Sequence, residues 1–121
     1  MTEELSFEID SATGFATITF LAATLSKSEQ IAVLSSEICE FIQSKKPCAV
    51  IVDFGEVKFF SSEVLGVLIN VRKKLSALGS KVVISGLNPK LYRVFRITNL
   101  DSIFNFYDDK VLAIEALSSA T

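Results

Sequence analysis

The rhythm of hydrophobic and polar residues changes along the chain, and each change marks an element. Leu5, Phe7 and Ile9 alternate with polar residues, and after Ser11-Ala-Thr-Gly14 the alternation resumes through Phe15, Ala16, Ile18 and Phe20. Period-two patterning on both sides of a glycine-containing turn predicts an antiparallel hairpin. The period then lengthens: Ile31, Leu34, Ile38, Phe41 and Ile42 form one stripe of a helix, closed by Lys45, Lys46 and Pro47. Ser26-Lys-Ser-Glu29 ahead of it has the spacing of a capping box, in which Ser26 and Glu29 each satisfy a helix-end amide. Ala49 to Val52 is an unbroken apolar run ending in Asp53-Phe-Gly55. Such a run suits a central strand buried on both faces.

A second helix is predicted from Ser61 to Leu78, with Leu65, Leu68, Leu75 and Leu78 inside, Arg72, Lys73 and Lys74 outside, and Gly79 suited to a left-handed cap. Lys81 to Ser85 reads as another buried strand. Gly86-Leu-Asn-Pro89 then predicts a turn, with Asn88 as N-cap and Pro89 at the first helical position of a short helix carrying Leu91, Val94, Phe95 and Leu100. Ile103, Phe104 and Phe106 suggest a last strand. Asp108 is expected to cap a final helix holding Val111, Leu112, Ile114 and Leu117, and 118–121 reads as a frayed end. A hairpin followed by alternating helices and strands implies one α/β domain over 1–121, with a mixed, mainly parallel sheet and about four helices packed on it.

Composition narrows the function more than it defines it. The 121 residues are enough for a core without disulfides or metal. The net charge of −2 gives no basic footprint for nucleic acid. No apolar window is long enough to span a bilayer, and the opening Met-Thr-Glu-Glu-Leu lacks the regions of a signal peptide, so a cytoplasmic location is expected. Cys39 and Cys48 match no metal or redox spacing and are expected to be reduced packing residues. Histidine is absent, which removes the commonest general base and zinc ligand. The five glycines form no phosphate loop. Glu3, Glu4 and Glu8 read as solvated surface.

Asp53, alone at the end of a buried strand, either accepts hydrogen bonds from turn amides or lines a phosphate- or partner-binding edge. A receiver domain would also place an aspartate at a strand end, but needs an acidic pair after the first strand to hold Mg²⁺ and a lysine after the fifth. Here the first strand leads into Ser11-Ala-Thr-Gly14, and Lys81 precedes its strand.

The run from Val50 through Asp53-Phe-Gly-Glu-Val-Lys-Phe-Phe60 to Ser61-Ser-Glu-Val-Leu-Gly66 resembles the core signature of the STAS domain. That domain occurs in bacterial anti-sigma factor antagonists and at the ends of sulfate transporters. The order of later features agrees: Gly79 before a strand, Gly86-Leu-Asn-Pro89 before a short helix, then Leu100-Asp-Ser-Ile-Phe104. The resemblance implies a binding switch rather than an enzyme, with no cofactor or metal. The partner it implies is an anti-sigma factor that is also a serine kinase, released when the antagonist's second motif serine is phosphorylated.

The chain departs from that motif at the acceptor. Anchored on Leu65-Gly66, the motif aspartate falls on Ser61, its first serine on Ser62, its phosphoserine on Glu63 and its glycine on Val64. Three readings stay open: Ser62 is a shifted phosphoacceptor; Glu63 makes an unswitched module; or Ser61 is an N-cap and Glu63 a first-turn acid favoured by the helix dipole. Of the ten phenylalanines, Phe54, Phe95, Phe104 and Phe106 are expected in the core. Phe59 and Phe60, adjacent in an extended stretch, should point opposite ways. Phe59, Phe60, Ser61, Ser62, Glu63 and Asp53 are therefore the candidate partner-binding residues. Two other functions are compatible with the residues: an accessory subunit of a membrane transporter assembly, and a small nucleotide- or ligand-binding protein. A homodimer is allowed and not required.

Overall fold

The computed structural model describes residues 7–12 and 15–119, with side chains over 15–117. In chain order, β1 (Phe7–Ala12), β2 (Phe15–Phe20) and a two-residue β3 (Thr24–Leu25) precede α1 (Ser28–Lys45). Next come β4 (Ala49–Asp53), a two-residue β5 (Phe59–Phe60) and α2 (Ser62–Ala77). β6 (Lys81–Ser85), α3 (Pro89–Ile97), a 3₁₀ turn (Leu100–Ser102), β7 (Asn105–Tyr107) and α4 (Lys110–Ser119) complete the chain.

The main sheet has the order β1-β2-β4-β6-β7. β1 and β2 are antiparallel and every other neighbour pair in that sheet is parallel. This is the mixed, mainly parallel sheet that the alternation of elements predicts. β4 lies at its centre with all five residues buried, which explains its unbroken apolar run. Its odd and even residues serve different cores. Val50 and Val52 pack with the inner faces of α1, α2 and α3, whereas Ala49 and Ile51 pack with Val83 and with Ala113 and Leu117 of α4. Three helices thus cover one face and α4 the other.

Several local expectations hold. Asn88 occupies the N-cap of α3, its Oδ1 accepting from the Leu91 amide at 3.0 Å, with Pro89 in the first turn. Gly79 is left-handed at φ +75°. Phe54, Phe95 and Phe104 are buried, and Phe95 meets Phe60, Phe104 and Phe106 edge-on.

Others need correction. The predicted capping box does not form: α1 starts at Ser28 behind Lys27, which makes no side-chain cap bond. The reason is tertiary, because Thr24 and Leu25 are drawn out as β3 to pair with Phe59 and Phe60 in a second, two-stranded parallel sheet. The final helix is capped by Asp109, whose Oδ1 accepts from the Leu112 amide at 2.9 Å, and not by Asp108. Phe106 is only half-buried, and Ile103 and Phe104 precede the last strand rather than joining it. Leu78, expected on the buried stripe of α2, is exposed where the helix has already ended. Cys48 is exposed just outside β4, and Cys39 is half-buried with its Sγ accepting from Asn70 Nδ2 at 3.7 Å. Ser11 and Ala12 belong to β1, paired with Ala16 and Phe15. The turn residues 13–14, Leu5, the solvated acids Glu3 and Glu4, and the side chain of Glu8 lie outside what is described. α4 continues through Ser119, and the remainder of the predicted frayed end also lies outside.

Candidate functional site

The carboxyl end of β4 and the entrance of α2 bring most of the candidate residues together, in two layers. The inner layer is a polar latch between β4 and β6. Asp53 is 7% exposed; its Oδ1 accepts from Ser85 Oγ at 2.7 Å and its Oδ2 from the Gly55 amide at 3.3 Å. Alongside, the Phe54 amide donates to the Ser85 carbonyl at 2.8 Å. Gly86 closes over this group at φ +74°, and a Cβ there would stand 2.8 Å from the Gly55 nitrogen and 3.0 Å from Asp53 Oδ1. Only glycine fits such a backbone and such a gap. Asp53 is therefore an internal acceptor at the strand ends, with a hydrogen bond to each oxygen and little surface of its own.

The outer layer begins with β5. Its pairing with β3 fixes the parity of the two phenylalanines, leaving Phe59 54% exposed and Phe60 5% exposed. Phe60 packs its ring against Phe54 and Phe95, at centroid distances of 5.6 and 6.0 Å. Three backbone bonds hold the segment to the β3 strand and its lead-in: Lys58 N to Ala23 O at 2.7 Å, Phe59 N to Ala23 O at 3.2 Å, and Ser61 N to Leu25 O at 2.9 Å.

Ser61 then takes the N-cap position of α2 with extended backbone, and its carbonyl accepts from the Val64 amide at 3.1 Å. Its hydroxyl does not cap. The Oγ is buried and has no hydrogen-bond partner among the described residues. Ser62 and Glu63 are exposed on the first turn, where the positive end of the helix dipole favours the carboxylate. Glu63 is held there by a residue that sequence reasoning missed. Ser28 Oγ, at the first turn of α1, donates to Glu63 Oε1 and Oε2 at 3.0 and 3.1 Å.

Ser28 also opens a shallow groove between α1 and α2, lined further by Ala32, Ser35, Gly66 and Asn70. The small residues Ser28, Ala32 and Ser35 recur at helical spacing, and that was the signal available in the sequence. The exposed edge thus consists of Phe59, Ser62, Glu63 and Ser28 beside the groove, with Phe60 and Asp53 behind it. Among the described residues no group of side chains has the makings of a metal site, and no helix is long and apolar enough to cross a membrane.

The chain is similar to known proteins in sequence and in fold. The anti-sigma-B factor antagonist of Listeria monocytogenes serovar 1/2a is 36% identical over 67 residues, 55% of this chain and 59% of that protein. The match therefore spans less than two thirds of the relative's length. The structure of a STAS domain protein from Planctomyces limnophilus superposes with a TM-score of 0.83 at 19% identity, covering 94% of this chain and 98% of the other. The Bacillus cell fate determinant SpoIIAA in its phosphorylated form gives a TM-score of 0.72 at 18% identity over 92% and 98% of the two chains. At these identities the structural likeness speaks for the fold. The family itself is established by the sequence match over residues 5–113, and the chain belongs to the STAS domain family.

Proposed function

We propose that the chain is a protein-binding module of the anti-sigma factor antagonist type, working without enzymatic activity in a bacterial, cytoplasmic partner-switching system. Its partner is an anti-sigma factor or serine kinase, and its contact surface is the edge formed by Phe59, Ser62 and Glu63 with the groove between α1 and α2. The name of the Listeria relative supports the class of partner.

The observation that carries the reading is the state of Glu63. It stands at the motif position of the family's phosphoserine, exposed on the first helical turn, with its carboxylate tied to Ser28. A carboxylate brings one fixed negative charge where a phosphate brings about −1.5 to −2. The residue cannot be phosphorylated, so this module keeps one surface charge at all times and binds constitutively. An exposed, rigid aromatic such as Phe59 beside it has the character of an interface anchor.

The exposure of Ser62 favours one variation, in which the acceptor has moved by one residue. Affinity capture from the native host separates these outcomes. With Glu63 as a fixed charge, wild type captures a serine kinase or anti-sigma factor and stays bound when ATP is added. Glu63→Ser becomes phosphorylated and lets go. If wild type itself carries phosphate and Ser62→Ala removes it, the acceptor is Ser62. Capture of a membrane transporter subunit in place of a kinase or anti-sigma factor would overturn the assignment.

A further inference from the structure

At the opposite end of the domain from this edge, α1 and α2 finish side by side. Between their last turns lies an open recess of about 550 Å³, lined by Ile42, Gln43, Lys46, Lys74, Ala77 and Leu78. That size belongs with small-molecule sites rather than with the broad surfaces that proteins bury.

The lining has three properties that together specify a ligand. Its exposed apolar surface comes from Ala77 and Leu78, Leu78 being 44% exposed, while Ile42 behind them is 1% exposed and belongs to the core. Its walls carry two ammonium groups from different helices, Lys46 and Lys74, and no carboxylate. Among the described residues neither ammonium has a hydrogen bond or ion pair.

A lysine near a helix C-terminus is ordinarily explained by the unpaired carbonyls and the negative end of the dipole. Here backbone caps already serve carbonyls of both last turns. The Lys46 amide donates to Ile42 O at 2.9 Å, Leu78 and Ser80 donate to Leu75 O at 3.0 and 2.8 Å, and Gly79 donates to Ser76 O at 3.0 Å. Each helix end contributes roughly half a negative charge against a full positive charge on each lysine, so the recess remains net positive. Lys46 moreover holds the left-handed cap itself, at φ 46°, where glycine is the usual residue. That backbone sets the start of its side chain at the rim of the recess.

We propose that this recess binds a small amphipathic anion, a free single-chain alkyl carboxylate or phosphate. The head would lie between Lys46 and Lys74, and the chain over Ala77 and Leu78. The site is independent of the α2 entrance, and the proposal does not rest on the partner-switching reading.

Decanoate is the probe, with decanol as its neutral counterpart, titrated into the ¹⁵N-labelled full chain and followed by NMR. Decanoate should shift the amides of Gln43, Lys46 and Leu78 and saturate, with a Kd on the order of a millimolar or tighter. Decanol should bind at least about tenfold more weakly, and so should decanoate to the Lys46→Gln/Lys74→Gln double variant, since charge-assisted contacts carry the head. Lys90→Gln, on α3, should leave the affinity unchanged. Unfolding midpoints equal to wild type would show that the variants are folded. Equal binding of decanol, full affinity in the double variant, or binding only to phosphatidylglycerol vesicles and not to free decanoate would each overturn the site.

Discussion

Ser28 and Glu63 are 35 positions apart, and a single hydroxyl proton on the first turn of α1 is shared between both carboxylate oxygens on the first turn of α2. One side chain thereby joins the starts of two parallel-running helices and holds the acid at the motif position in one orientation. Ser28→Ala should lower stability by about 0.5–1 kcal/mol, below the usual range for a hydrogen bond to a charged group because the pair is exposed. Urea denaturation would measure it. The same variant frees the carboxylate, so partner affinity should change by more than the stability does.

Gly66 tests the groove from its floor. It is in the middle of α2, and a Cβ added there meets nothing within 4 Å. Gly66→Ala should therefore stabilise the folded chain by about 0.5–1 kcal/mol through helix propensity. If a partner helix or loop sits in the groove, the added methyl weakens its binding while the melting temperature rises. A rise in stability with unchanged affinity would exclude the groove from the interface.

The Asp53 latch should behave in the opposite way. Ser85→Ala leaves Asp53 Oδ1 buried without its hydroxyl donor, which costs about 1–3 kcal/mol. Asp53→Asn places an amide donor against either the Gly55 amide or the Ser85 hydroxyl, with a loss of about 1–2 kcal/mol. The pair should be non-additive in a double-mutant cycle of chemical unfolding. Partner affinity per folded molecule should be unaffected, because neither group reaches the surface.

Gly86→Ala should be more damaging than either. It combines a left-handed backbone with a methyl forced to 2.8 Å from the Gly55 nitrogen, and a loss of at least about 2 kcal/mol is expected in equilibrium unfolding.

The features legible in the sequence are those written in neighbouring residues. β4 is announced by its continuous apolar run, α3 by Asn88-Pro89, and the opposed directions of Phe59 and Phe60 by simple parity. What the sequence hides is decided by contacts across 30 or more positions. Ser26 and Glu29 form a sound local cap signal, yet pairing of Thr24 and Leu25 with a distant β5 overrides it and moves the helix start to Ser28. Asp53 has the sequence profile of a functional acid, and only the approach of Ser85 from the adjacent strand shows it to be an internal latch. Cys48 sits between buried Pro47 and a wholly buried strand and is itself exposed. The STAS resemblance pointed to the α2 entrance, but the contact that Ser28 on α1 makes with Glu63 lay outside the motif.

Phe59→Ala isolates surface from scaffold. With the ring more than half exposed, its removal should change unfolding free energy by less than about 0.5 kcal/mol. If the ring anchors a partner, the same change should weaken the complex by about 1–2 kcal/mol or more in calorimetry.

The two-residue pairing of β3 with β5 gives the candidate edge an unusual kind of anchorage. The strip that presents Phe59 is not stitched into the main sheet. It hangs from the lead-in to α1 by three amide bonds, at Lys58, Phe59 and Ser61. So short a ladder should open far more often than the β4–β6 core, and its amides should exchange with solvent much sooner. A ligand clasping this strip would slow exchange at those three amides and, through the shared hinge, at the first turn of α1, a signature that reports occupancy without any label on the partner.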